Sequence, residues 1–211
     1  FAATVIALTL TFQPLNWWPL AFVAFVPWTV TICRLERAWL IHWGSFLAGW
    51  AFFAVNLEWL SAVTGLGRLA LAFYLAIYWP LAAWAIRSAQ RRGIAATWSL
   101  PVVWVACEYL RAFVMSGFPW HFVAHPFAGV LPFIQISDLG GAYAVSFVVL
   151  MINGWLSELV LQHRRLRWGK RRRRQLLVGA ATTATLTAAT LAYGFYRLSQ
   201  SDQVRPGPQV S

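Results

Sequence analysis

Apolar stretches of about 20 residues recur along the whole sequence, each long enough to cross the hydrocarbon core of a bilayer as a helix rising about 1.5 Å per residue. They are placed near residues 1 to 12, 17 to 33, 38 to 62, 69 to 87, 94 to 115, 139 to 162 and 176 to 198. Lipid offers no partner to a free peptide group, so such stretches fold as helices that satisfy their own backbone. Composition agrees: 60% of residues are hydrophobic and only 11% are charged, at a mean hydropathy of +0.60. A soluble domain carries about a quarter charged residues. The expected fold class is therefore an all-α membrane protein, a polytopic bundle of about seven transmembrane helices. Its first helix reads as truncated, because Phe1 already lies in an apolar run and "FAATVIALTLTF" has no basic n-region of a signal peptide. Pro19, Pro27, Pro80 and Pro101 fall in or near the spans and mark kinks or starts. Residues 116 to 138 are too irregular to span and are expected to form a structured, partly re-entrant loop.

The basic residues supply an orientation, since cytoplasmic connections are enriched in Lys and Arg. Of the 17 Lys and Arg, 13 fall in one set of connections: Arg34 and Arg37; Arg87, Arg91 and Arg92; and the run from Arg164 to Arg174. The other side holds Arg68, Arg111, Arg197 and Arg205. The first set is assigned to the cytoplasm, which puts loop 116 to 138 and the tail from 199 to 211 in the periplasm. The net charge of +11 is thus a topology signal resting on anionic headgroups, and no nucleic-acid partner is implied. Cys33 lies at the cytoplasmic end of one helix and Cys107 inside another, so neither a disulfide nor a metal site is expected.

Chemistry is concentrated at the opposite end, where Glu58, Glu108, Arg111, His121, His125 and Asp138 cluster in sequence around the outer helix ends. Glu108 and Arg111 are the costly ones, because a charge at mid-bilayer is unfavourable by about 2.5 to 3.5 kcal/mol. Their three-residue spacing puts them on one helix face, where they could pair. They either fix helix packing or line a polar cavity that receives a headgroup; a phosphate or carboxylate would suit Arg111. His121 and His125 are four apart, but Pro119 and Pro126 flank them, and the chain has only four histidines. They are not read as metal ligands. Trp120, like Trp17, Trp18 and Trp59, reads first as an interfacial anchor. No G-x-S-x-G, H-E-x-x-H or phosphate-cradling glycine loop occurs, and the single lysine, Lys170, lies in the arginine run.

The stretches "NWWPLAFVAFVPW", "LPVVWVACEYLRAF", "SGFPWHF" and "IQISDLGGAYAVSFVVLMIN" resemble, in order and spacing, the membrane part of the bacterial apolipoprotein N-acyltransferases. The resemblance covers nearly the whole chain. It implies an inner-membrane helical bundle, residues 1 to 198 here, followed by a linker, residues 199 to 211, toward a periplasmic nitrilase-like domain that this chain lacks. Such enzymes move an acyl chain from a phospholipid donor to the α-amino group of the N-terminal cysteine of a diacylglyceryl-apolipoprotein acceptor, through a thioester on a Cys assisted by Glu and Lys. They need no cofactor.

No position here matches that Glu, Lys or Cys, so no catalytic residue is assigned and the chain alone is expected to be inactive. Glu108, Arg111, Trp120 and His121 are the candidate substrate-binding residues, with the lipid bilayer as the remaining partner. Two departures from the family pattern stand out: Glu58 in "AVNLEWLS" and the loop sequence "HFVAHPF". The alternative reading is a non-enzymatic polytopic protein, a transporter or scaffold, although the broken, repeat-related helices of a transporter are not visible.

Overall fold

The computed structural model describes residues 1–163 and 169–200. Arg164, Arg165 and Arg167 of the basic run, and the expected linker except for Ser199 and Gln200, lie outside the described residues. The helices are α1 (Ala2–Thr11), α2 (Val26–Arg34), α3 (Ala38–Asn56), α4 (Gly65–Ala76), α5 (Tyr78–Arg91), α6 (Ala96–Phe113), α7 (Leu131–Ile134), α8 (Ser137–His163) and α9 (Lys170–Ser199). No strand occurs among the described residues. Four segments, Ala38–Asn56, Gly65–Arg91, Ser137–His163 and Arg172–Ser199, are long and apolar enough to cross a membrane. The expectation of an all-α membrane bundle holds.

Prolines account for where the rods are interrupted. A 3₁₀ turn over Trp18–Phe22 precedes α2, and Pro19 and Pro27 each occupy the first turn of their segment, where a missing N–H is harmless. The chain between them is irregular and fully buried at Ala24 and Phe25. Its freed backbone groups are satisfied from α8: Asn153 accepts from the Phe25 N–H at 2.9 Å and donates to the Ala21 carbonyl at 2.8 Å. Thr4 of α1 accepts from the Trp28 N–H at 3.0 Å. Pro80 sits in the first turn of α5, just after the break at Ile77 that divides α4 from α5.

Aromatic side chains fill the centre. Phe25, Trp28, Trp79 and Trp104 pack edge-on or stacked, with centroids between 4.4 and 6.2 Å apart. The most extensive helix–helix contact among the described residues is between α6 and α8. Gly154 permits that approach, since a Cβ there would lie 2.5 Å from the Ala96 carbonyl oxygen and 2.9 Å from Thr97 Cα. Small residues at helix crossings serve the same purpose throughout membrane bundles.

Several boundaries differ from expectation: the span near 17 to 33 is a 3₁₀ turn followed by α2, and α3 ends at Asn56 rather than near residue 62. The last helix begins at Lys170, not near residue 176. Lys and Arg are good helix formers, so charge ends the membrane-embedded part of a helix without ending the helix. At the other end of α9, Arg197 meets Asp138 at 2.8 Å and Tyr193 reaches the same carboxylate at 3.3 Å, clamping α9 to the start of α8.

Candidate functional site

Helix α6 ends at Phe113, and the chain doubles back through Met115 (φ 52°) and Gly117 (φ 78°). The Phe118 N–H returns to the Arg111 carbonyl at 2.8 Å. Gly117 is required there twice over: its φ lies in the left-handed region, and a Cβ would strike the Ala112 carbonyl oxygen. This explains the glycine of "GFPW". The segment that follows folds back into the bundle, burying Phe122, Val123, Ala124 and Phe127.

A buried loop must find partners for its backbone, and here the two charged residues of α6 provide them. Glu108, 2% exposed, accepts from the Val123 N–H at 2.8 Å. Arg111, 5% exposed, donates to the His121 carbonyl at 3.3 Å. Ser146 of α8 accepts from the Ala124 N–H at 3.1 Å. The guanidinium of Arg111 also lies over the rings of Phe53 and Phe122, 5.2 Å from each centroid, a favourable place for a cation. The expected Glu108–Arg111 ion pair is not formed: no nitrogen of Arg111 comes within 4.0 Å of a Glu108 carboxylate oxygen. Each side chain grips the loop instead.

His121 adopts φ 56°, which is uncommon outside glycine and persists where neighbours over-determine it. Those neighbours are Arg111 on its carbonyl and the rings of Phe12, Phe52 and Phe53, with centroids 5.0 to 6.5 Å away. Burial first, then the Arg111 guanidinium and His125, push its imidazole down to about 4, so the ring is neutral at physiological pH. His125 turns back on the loop, where its Nδ1 accepts from the Phe122 N–H at 3.3 Å.

On the outside of this braced loop runs a groove of about 670 Å³. Phe12, Leu15, Val55, Trp59 and Trp120 supply apolar walls, and Asn56, Glu58, His121 and His125 supply polar ones. Trp120 is 49% exposed and stacks on Phe118 at 5.0 Å. The four candidate residues are thus divided. Trp120 and His121 face the groove, whereas Glu108 and Arg111 lie behind it and hold its wall. Glu58 pairs with Arg68 at the rim, and Asp138 is taken up by α9. Sequence reasoning missed Asn56, Ser146 and Asn153; the available signal was a lone polar residue in an apolar span. The groove can accept a long apolar chain with a polar end, but no thiol lines it among the described residues. Cys107 is 7% exposed and directed at the Tyr78 carbonyl, and Cys33 lies at the basic end of the bundle.

Residues 5–155 match the family model of the apolipoprotein N-acyltransferase N-terminal domain. The chain is similar to proteins named apolipoprotein N-acyltransferase: 32% identical over 204 residues to that of Geobacter metallireducens, covering 92% of this chain and 38% of the relative. It is 29% identical over 211 residues to that of Gloeobacter violaceus, at the same two coverages, 92% and 38%. It is 27% identical over 208 residues to that of Pasteurella multocida, covering 93% and 37%. The chain therefore spans less than two fifths of the length of the curated relatives it matches. With a match over most of its length, running from α1 through the braced loop into α8, this membrane protein belongs to the apolipoprotein N-acyltransferase N-terminal domain family.

Proposed function

We propose that this chain is the membrane domain of an apolipoprotein N-acyltransferase of the bacterial inner membrane. The full enzyme would move an acyl chain from a phospholipid to the N-terminal cysteine amino group of a diacylglyceryl-lipoprotein. The observation that carries the reading is the groove at the loop end, with apolar walls for acyl chains and the polar edges of Asn56, His121 and His125 beside them. Both substrates are lipids, so both must arrive within the membrane plane, and a groove between α1, α3 and the loop is open to that approach. Trp120 and His121 contact the lipid; Glu108 and Arg111 position the loop that carries them. The catalytic Glu, Lys and Cys would come from a nitrilase-like domain beyond Ser211, on the periplasmic side.

The test incubates the purified chain, and separately the full-length enzyme, with labelled phospholipid and then a lipopeptide acceptor. A hydroxylamine-sensitive acyl-protein is expected only for the full-length enzyme, because acyl transfer through a thioester needs a thiolate with a base beside it. In the full-length enzyme, Trp120→Ala is expected to lower kcat/KM about ten-fold, the effect of about 1.4 kcal/mol of lost contact in the transition state. An acyl adduct on the 211-residue chain that disappears in Cys107→Ser would overturn the assignment.

A further inference from the structure

The polar side chains of the loop-end groove are not equally free. No Lys or Arg lines it among the described residues. Arg111 is engaged with the His121 carbonyl, and Arg68 with the Ala54 carbonyl and Glu58. Glu58, the one carboxylate of the lining, accepts from Ser61 Oγ at 3.2 Å as well as pairing with Arg68. Asn56 has committed both amide N–H groups, to Thr9 Oγ1 at 3.1 Å and to the Phe52 carbonyl at 2.8 Å. A phosphate, which is held best by charged donors, finds none on these walls.

His125 differs from these neighbours. It is exposed and lines the groove, and its ring lies on that of Phe122, with centroids 5.2 Å apart and planes 30° from parallel. Its Nδ1 accepts from the Phe122 N–H at 3.3 Å, and a neutral imidazole that accepts at one nitrogen carries its proton on the other. Burial first, then the Arg111 guanidinium, hold the imidazole below its ordinary range, which keeps the ring in that neutral form. The Nε2–H is therefore set on the far edge of a ring whose plane and tautomer are both fixed by the loop. Gln13, Trp59 and Trp120 also bring N–H groups to the lining, but the imidazole is the one aimed by a hydrogen bond at its other edge.

We infer that His125 holds the glycerol ester carbonyl of a lipid lying in this groove, donating its Nε2–H to the carbonyl oxygen. The inference rests on the groove being a lipid site, as proposed above. An ester carbonyl is a neutral acceptor at the boundary between acyl chains and headgroup. It suits walls that pass from Phe12, Leu15 and Val55 to polar groups and that offer a neutral donor without a cation. His125 is then a specificity-determining contact that takes no part in bond making: it favours ester-linked chains over ether-linked ones, which lack the carbonyl. The phospholipid donor and the diacylglyceryl acceptor both carry this group.

The experiment is native mass spectrometry of the purified 211-residue chain in detergent, with an equimolar mixture of diacyl phosphatidylethanolamine and its dialkyl ether analogue of matched chain length. Wild type is expected to retain the ester lipid over the ether lipid about five-fold, the size of one neutral hydrogen bond. His125→Asn keeps an acceptor for the Phe122 N–H but lacks the distal N–H. It is expected to lose the preference while its melting temperature stays near that of wild type. His125→Gln, whose amide N–H reaches the place of Nε2, is expected to keep part of it. Equal retention of the two lipids by wild type, which needs no variant to fold, would overturn the inference, as would a preference that survives in His125→Asn. Trp120→Ala separates this from the groove reading. Retention unchanged in that variant would sink the groove and the inference together, whereas retention that falls there but never distinguishes the two lipids would sink only the role of His125. Repeating the comparison with a lipopeptide bearing a diacylglyceryl or a dialkylglyceryl group names the source, since the larger His125-dependent preference marks the carbonyl as the donor's or the acceptor's.

Discussion

Glu108 and Arg111 show how a buried charge in a membrane helix is retained when its partner is backbone. The i, i+3 spacing places both on one face of α6, but the returning loop offers each a better contact than the other: the Val123 N–H for Glu108 and the His121 carbonyl for Arg111. Glu108→Gln keeps an acceptor for Val123 and is expected to be mild. Glu108→Leu strands a buried N–H and is expected to destabilise by about 1 to 3 kcal/mol. Thermal unfolding in detergent checks the order; equal effects of the two would mean that the loop does not depend on this bond. His121 makes a pH prediction. Its imidazole titrates near 4 in the fold and near 6.5 unfolded. The unfolded chain therefore binds the proton more tightly, and the stability from the neutral ring is complete above about 6.5 and lost as pH falls toward 4. His121→Asn, which tolerates the positive φ and does not titrate, is expected to flatten that fall. An unchanged pH slope would show that another group is responsible.

Between elements, the bundle depends on close approach and on polar cross-links rather than on apolar contrast, because lipid tails are as apolar as the helix faces. Gly154→Ala puts a methyl group against the backbone of α6 and is expected to cost about 1 to 3 kcal/mol, as overpacking does. Gly129→Ala, with open space around its Cβ position, is expected to stay within about 0.5 kcal/mol of wild type. Comparing the two melting temperatures separates a packing requirement from a general intolerance of alanine. Asn153 works at the same level: one side chain of α8 supplies the partners missing at the break between the first 3₁₀ turn and α2, so an irregular stretch can lie buried in the bundle.

At the scale of the molecule, the bundle has a basic end and a loop end. Arg34, Arg37, Arg87, Arg91, Arg92 and the start of α9 gather at the first; the braced loop, the groove and the Asp138–Arg197 clamp gather at the second. From the charge bias, the first is expected to face the cytoplasm. With Cys33 and Cys107 replaced by Ser, single cysteines at Ala128 and Arg173 are to be treated with an impermeant thiol reagent in whole cells. Labelling at 128 and protection at 173 are expected; the reverse would invert the topology and move the groove to the cytoplasmic side.

Fold class and the gathering of basic charge were legible in the chain, because membrane insertion reads local hydropathy and local charge, and both are properties of short windows of sequence; of the seven expected spans, four segments among the described residues are long and apolar enough to cross a membrane. The pair in "EYLRAF" could be flagged as costly for its place in an apolar span. Which atoms those residues meet was not legible. Val123 and His121 come to Glu108 and Arg111 only after the loop has folded back between α3, α6 and α8, and the partner of Asn153 lies more than 120 residues away. The same holds for the groove, since its walls come from α1, α3 and the loop at once. Contacts between segments distant in sequence depend on helix crossings, which glycines such as Gly154 permit but no local pattern encodes.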